Sequence, residues 1–265
     1  MSPVTIITGA SAGIGAELAR VFARNGHALV LVARREQRLA ALAAEIKTMT
    51  RSTPLVLPID LALPDAATRI ERVLAARALE PQFVVNNAGF GLVGRAAELD
   101  RAEQLAMIDL NVRSLTDLSL AFVESLARHR GGILNVASVA SFLPGPGSAV
   151  YYAGKAYVLS FSEALHRELK PRGVRVTALC PGPVATEFQA RAGIQDKRMP
   201  WPLEVSAERV AEEGYRGLMQ GRRLVVPGLA NKIVSVVPRF LPRSLVLALA
   251  DRRQSQRRPS SAPPT

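Results

Sequence analysis

Six short runs of β-branched and aliphatic residues recur along the chain with helix-forming stretches between them, and this alternation limits its fold more than any other feature. The runs are Val4 to Thr8, Ala28 to Val32, Leu55 to Ile59, Phe83 to Asn86, Gly132 to Val136 and Arg175 to Leu179. A continuously apolar strand is buried on both faces, and parallel neighbours need a crossover helix between them. Ala16 to Arg24, Glu36 to Thr48 and Ala66 to Arg77 read as such helices. The expectation is an α/β fold with a doubly wound parallel sheet. Neither an internal repeat nor a Gly/Ser linker divides the first 190 residues, so 1–228 reads as one domain.

Two regions leave the alternation. Between residues 187 and 205, Gly193, Pro200, Trp201 and Pro202 break any period, which suggests a substrate loop. From 229 to 253 an apolar and basic extension follows, with Ile233, Val236, Val237, Phe240 and Leu241 at helical spacing interrupted by Pro238 and Pro242. Lys232, Arg239 and Arg243 exclude an ordinary transmembrane span there. Residues 254–265 are Arg, Ser and Pro with almost nothing to bury, and are expected to be disordered.

Composition narrows the class. Hydrophobic residues make up 48% and charged residues 21% of the 265, the usage of a globular protein with a real core. A single cysteine, Cys180, rules out an intrachain disulfide and a zinc cluster. With no basic, apolar leader at Met1-Ser2-Pro3, a cytoplasmic location is expected. The net charge of +12 raises nucleic acid or an anionic membrane as partners. Yet Arg252, Arg253, Arg257 and Arg258 lie in the C-terminal tail and the other basic residues are scattered with few aromatics between them, so no nucleic-acid partner is expected.

The chemistry begins where the first run ends, in Thr8-Gly9-Ala10-Ser11-Ala12-Gly13-Ile14-Gly15. Glycines at a strand-to-helix turn let backbone approach a pyrophosphate, and the free N–H groups and helix dipole favour the anion. The second run ends in Val32-Ala33-Arg34-Arg35, where an acidic side chain would bond the adenine ribose of NAD. Guanidinium groups there can instead clasp a 2′-phosphate, which predicts NADPH over NADH.

The spacing Gly-x-x-x-Gly-x-Gly resembles the short-chain dehydrogenase/reductase superfamily, and further motifs follow in the family's order. They are Asn86-Asn87-Ala88-Gly89, Asn111, Ser138, Tyr151-x-x-x-Lys155, and Pro181-Gly182 followed by Val184 and Thr186. The resemblance implies a single Rossmann domain with a C-terminal helical extension. It implies a cofactor site of Gly9, Ser11, Gly13, Ile14, Gly15, Arg34, Arg35, Asp60, Leu61, Asn87, Ala88, Gly89, Tyr151, Lys155, Pro181, Gly182, Val184 and Thr186. It also implies homodimers or homotetramers joined through Ala102 to Leu126 and Ala149 to Lys170.

Reducing a carbonyl requires a hydride, a proton for the developing alkoxide and donors that stabilise charge on its oxygen. A tyrosine serves near neutrality only if a close positive charge stabilises its phenolate. Tyr151 and Lys155 lie within about 40° on one helix face, but Tyr152, three before Lys155, shares that face too. The family's spacing assigns Tyr151 as acid-base. By the same resemblance Ser138 donates to the substrate oxygen, Lys155 binds the nicotinamide ribose, and Asn111 holds a relay water. Cys180 reads as a small buried hydrophobe.

The substrate side is less legible. Phe90, Phe142, Leu143, Phe188, Met199 and Trp201 suggest a lipophilic carbonyl or alcohol, although apolar loop residues also serve as anchors. The extension could touch an anionic membrane surface, its own domain or a partner subunit. The competing reading of the whole chain is a regulatory protein that binds NADP without catalysis; its mark would be a damaged Tyr or Lys, and both are present.

Overall fold

A computed structural model describes residues 1–50, 52–193 and 203–255. Seven strands, β1 (Ser2–Thr8), β2 (Leu29–Ala33), β3 (Leu55–Pro58), β4 (Leu79–Asn86), β5 (Gly132–Val136), β6 (Arg175–Leu179) and β7 (Leu224–Val225), form one sheet. Its order is β3-β2-β1-β4-β5-β6-β7, and every neighbouring pair is parallel. This is the doubly wound topology that the alternation implied, with the winding reversing between β1 and β4. Loops there leave to opposite sides and open a crevice at the carboxyl ends.

Alternate residues of each strand enter different cores, which is why the runs are apolar throughout. Ile7, Leu29, Leu31 and Ala33 join α1 (Gly13–Arg24), α2 (Glu36–Thr50) and α9 (Ala207–Met219) in one cluster. Ile6, Val30 and Val32 join α3 (Ala66–Ala75) and α7 (Ala149–Leu169) in the other. Cys180 is fully buried in a third cluster, and burial pushes its thiol up to about 12, so it packs as a hydrophobe.

Several boundaries differ from the sequence reading. β4 begins four residues before Phe83, because Leu79, Glu80 and Pro81 pair with Ser2, Pro3 and Val4 beyond a bulge at Val4/Thr5 that tolerates the proline. β7 has only two residues, too few for a periodic signal, and pairs with the end of β6. The stretch read as one helix from Ala102 to Leu126 comprises α4 (Arg101–Ile108), a π turn at Asp109–Ser114, α5 (Leu115–Ala121) and α6 (Val123–Arg128). A short helix, α8 (Glu187–Arg191), opens the region read as a loop.

The extension folds as α10 (Leu229–Val236), a 3-10 turn at Val237–Phe240 and α11 (Arg243–Ser255). It docks on its own domain through buried Asn231, Ser235 and Val246, while Leu229, Ile233, Val236, Val237 and Phe240 stay exposed. Among the described residues no helix is long and apolar enough to cross a membrane. Gln254 and Ser255 complete α11 instead of opening a tail; the disorder expected for the rest of 254–265 falls outside the described residues.

The β1–α1 turn is built by close approach. Gly9 adopts φ +64°, a left-handed conformation. A β-carbon on Gly15 would overlap the Gly9 carbonyl oxygen and the Asn87 amide, so this position admits no side chain. Gly15→Ala is therefore expected to cost about 1–3 kcal/mol and lower the Tm by several degrees, read by thermal unfolding. An unchanged Tm would mean that the turn yields freely.

Candidate active site

A cavity of about 980 Å³ lies at the carboxyl ends of the strands. Of the residues expected to hold cofactor, Gly9, Ser11, Gly13, Ile14, Arg34, Arg35, Asp60, Leu61, Asn87, Ala88, Gly89, Pro181, Gly182, Val184 and Thr186 line it, as do Ser138, Tyr151 and Lys155. Gly15 and Asn111 stand behind the wall. Gly15 acts by letting α1 approach the turn, and Asn111 by the contacts described below. The glycine cradle, the basic mouth and the cavity volume fit a nicotinamide dinucleotide.

At the mouth, Arg34 Nη1 is 3.8 Å from Asp60 Oδ2. Arg35 donates through Nε and Nη2 to Ser11 Oγ at 3.2 and 3.0 Å, and through Nη1 to Glu187 Oε2 at 2.7 Å. Arg38, on α2, reaches Glu187 Oε1 at 2.5 Å. These two arginines hold the Glu187 carboxyl below its ordinary range, Arg35 contributing most. Sequence reasoning missed both Glu187 and Arg38. Arg38 lies one helical turn beyond Arg34 and Arg35, a spacing that could have marked it.

At the inner end, Tyr151 and Lys155 project from one face of α7, with Lys155 Nζ 6.0 Å from the Tyr151 ring centroid. Burial pushes the Tyr151 phenol up to about 12, and a hydrogen bond with Ser138 works against that rise. Burial also pushes the Lys155 ammonium down to about 8, while Nζ donates to Val136 O at 2.7 Å. Burial thus raises the phenol, where a lowering was expected beside Lys155. Ser138 Oγ accepts from Ala140 N at 3.1 Å, capping the turn that begins at Val139, so its own proton is left to point to Tyr151 or to a ligand oxygen.

Tyr152 instead covers Gly145, where its ring leaves no room for a β-carbon. Both tyrosines line the cavity, and Tyr151 is the one that lies beside Lys155 and bonds Ser138. Asn111 sits on the π turn, with Oδ1 accepting from Phe90 N at 3.1 Å and Nδ2 donating to Phe90 O at 2.8 Å. Its amide thus braces the Gly89–Phe90 turn beside Lys155.

The rest of the cavity wall is mostly apolar. Phe90, Leu143 and Phe188 line the cavity as expected, whereas Phe142 borders a separate smaller cavity and Met199 and Trp201 lie outside the described residues. The extension supplies a wall that sequence reasoning did not place: Val234, Pro238, Leu241, Val246, Leu249 and Ala250 face the cleft. Asn231 anchors this wall by donating to Leu203 O at 3.0 Å and Pro227 O at 2.8 Å. Arg191, with its guanidinium 4.5 Å from the Phe90 ring centroid, is a basic group on the same side.

The short chain dehydrogenase family model matches residues 3–197. Sulfoacetaldehyde reductase 2 of Chromohalobacter salexigens is 39% identical over 71% of this chain and 75% of its own length. A short-chain dehydrogenase from Sphingobium yanoikuyae in complex with NADPH superposes with a TM-score of 0.79 at 33% identity, covering 98% of both chains. The bulky-bulky ketone specific alcohol dehydrogenase from Comamonas testosteroni superposes at 0.76 with 28% identity, covering 99% of this chain and 97% of that one. The chain belongs to the short-chain dehydrogenase family. It is an oxidoreductase of alcohol and carbonyl groups, with a Rossmann fold extended by C-terminal helices.

The buried lysine gives a signed pH dependence. A lysine lowered in the fold from 10.5 to about 8 destabilises it while charged; that cost is present in full below pH 8 and disappears between pH 8 and 10.5. Lys155→Met removes the titration, and the packing change it introduces does not depend on pH. The Tm of the variant relative to wild type is therefore expected to be highest near pH 7 and to fall by pH 10. A pH-independent difference would show that Lys155 is not held against burial.

Proposed function

We propose that this protein is an NADP(H)-dependent carbonyl reductase and alcohol dehydrogenase acting on lipophilic substrates. The observation that carries it is the convergence of Ser138, Tyr151 and Lys155 at the inner end of a cleft whose mouth is basic and whose outer wall is apolar. Reduced nicotinamide, when bound, supplies a hydride to the carbonyl carbon. The protein then has to stabilise and protonate the oxygen.

Ser138 donates to that oxygen, its turn-capping bond fixing Oγ while leaving the proton available. Tyr151 delivers its phenolic proton. A phenol raised by burial is fully protonated near neutrality, the form that reduction needs, whereas oxidation of an alcohol needs the phenolate. Lys155 compensates the charge left on Tyr151 and bonds the nicotinamide ribose. Asn111 keeps the Gly89–Phe90 turn against Lys155, and by the family resemblance would hold the water that relays protons to that lysine.

Arg34 and Arg35 at the end of β2, where NAD-binding sites carry a carboxylate, support NADPH over NADH. The resemblance to an NADPH-bound dehydrogenase agrees with this. Leu143, Phe188, Val234, Leu241 and Leu249 favour a ketone with apolar substituents, as does the likeness to a bulky-bulky ketone specific enzyme. The curated relative named for sulfoacetaldehyde supports a small anionic aldehyde instead, for which Arg191 is the available cation.

Turnover with an alkyl aryl ketone panel and with sulfoacetaldehyde, using NADPH and NADH in parallel, tests the substrate and cofactor readings. Higher kcat/KM for the apolar ketones with NADPH is expected; preference for sulfoacetaldehyde would move the specificity to Arg191. Tyr151→Phe is expected to lose about 10²–10⁴-fold in kcat while NADPH affinity, followed by fluorescence, stays within about twofold. Retained turnover would refute the acid-base role, and undamaged binding without any turnover in wild type would favour a regulatory protein.

The exposed Leu105, Ile108, Leu120 and Tyr157 on α4, α5 and α7 support association into a homodimer or homotetramer through these helices. Light scattering is expected to give a multiple of 28.4 kDa, and Leu120→Glu to lower it. A monomeric wild type would exclude the interface.

A further inference from the structure

We propose that Glu187 is a resident counter-anion occupying the site of the adenosine 2′-phosphate, and that Arg35, Arg38 and Ser11 form that site. The inference rests on the NADP(H) reading above and names the groups that enforce it.

Both oxygens of Glu187 are engaged, Oε2 by Arg35 at 2.7 Å and Oε1 by Arg38 at 2.5 Å. Arg35 bonds Ser11 of the β1–α1 turn at the same time. One carboxylate thus ties together the turn after β1, the start of α2 and the start of α8. The neighbouring Thr186 closes against the same turn, where a β-carbon on Gly13 would lie 3.1 Å from Thr186 Cγ2, so this anion site is continuous with the proposed pyrophosphate cradle.

Two guanidinium groups and a hydroxyl around an anion are what a phosphate monoester also requires. It brings three acceptor oxygens and a charge nearer −2 than −1, against two oxygens and −1 for the carboxylate. Arg35, Arg38 and Glu187 are each about half exposed, at 46%, 53% and 49%, so the pairs are weak enough to exchange. A dinucleotide without the 2′-phosphate brings no anion to these arginines and cannot displace Glu187, which balances one of their two charges. Only a ligand bearing the 2′-phosphate has to displace Glu187, so the carboxylate lowers affinity for such ligands and narrows their advantage over ligands without that phosphate.

Calorimetric titration of the full-length protein with 2′,5′-ADP and with 5′-AMP, which differ by that phosphate alone, tests the assignment. Wild type is expected to bind 2′,5′-ADP more tightly; equal binding would overturn the NADP(H) reading itself. Given that preference, Glu187→Gln should tighten 2′,5′-ADP by about three- to tenfold and leave 5′-AMP within about twofold. Arg38→Gln should weaken 2′,5′-ADP alone. An unchanged 2′,5′-ADP to 5′-AMP ratio in Glu187→Gln, or equal tightening of both ligands, would overturn the role of Glu187 with the cofactor reading intact.

Discussion

The cleft depends on a few hydrogen bonds that no strand ladder provides. Thr8 Oγ1 donates to Val85 O and accepts from Asn87 N and Ala88 N, while Asn87 Nδ2 donates to Thr8 O and Gly9 O. These bonds join the carboxyl ends of β1 and β4 at the point where the winding reverses and the loops part. Backbone groups left without ladder partners at that point must find others or pay for their burial. Behind the tie, Asn86 donates to Ser119 and Asn135, and Asn135 donates to Ser162. This buried chain fixes β4 and β5 against α5 and α7, and α7 carries Tyr151 and Lys155. The placement of the proposed catalytic pair thus follows from polar bonds that reach α7 from β4 and β5 through Ser162.

The sheet was legible because its strands are buried on both faces, which writes them as unbroken apolar runs. The exceptions have specific causes. Leu79 to Pro81 are strand only because Ser2 to Val4 pair with them across a bulge, a tertiary effect that no local period records. Leu224 and Val225 are too short to show one. The helix around Asn111 was legible as helix but not as a π turn, since an extra residue in a turn leaves the composition unchanged.

The site divides in the same way. Glycines and the Tyr-Lys spacing are local patterns, and the residues expected at the cleft are gathered there with Gly15 and Asn111 just behind it. Tyr151 and Tyr152 could not be distinguished by helical spacing, and the difference between them is tertiary: Tyr151 faces Ser138 and Lys155, while Tyr152 packs over Gly145. Glu187, Arg191 and the wall from α10 and α11 act across large sequence distances, so nothing local announced them. Asn231 is the clearest case: as a sequence letter it is one asparagine in an apolar helix, yet it holds Leu203 and Pro227 and seats the extension on the cleft.

The basic composition finds its use in this geometry. Many arginines spend their charge on carboxylates spread over separate faces: Arg20 with Glu17 and Glu45, Arg24 with Glu212, Arg113 with Asp109, and Arg172 with Glu124. Such surface pairs contribute little to stability. Arg34 and Arg35 differ in lining one end of one cavity, and with Arg38, which reaches Glu187 there, they bring three guanidinium groups to two acidic residues. An excess positive charge at the mouth and an apolar wall at the substrate end give the cleft a polarity along its length. A ligand with phosphates at one end and a reacting carbonyl partner at the other is the one that such a gradient orients.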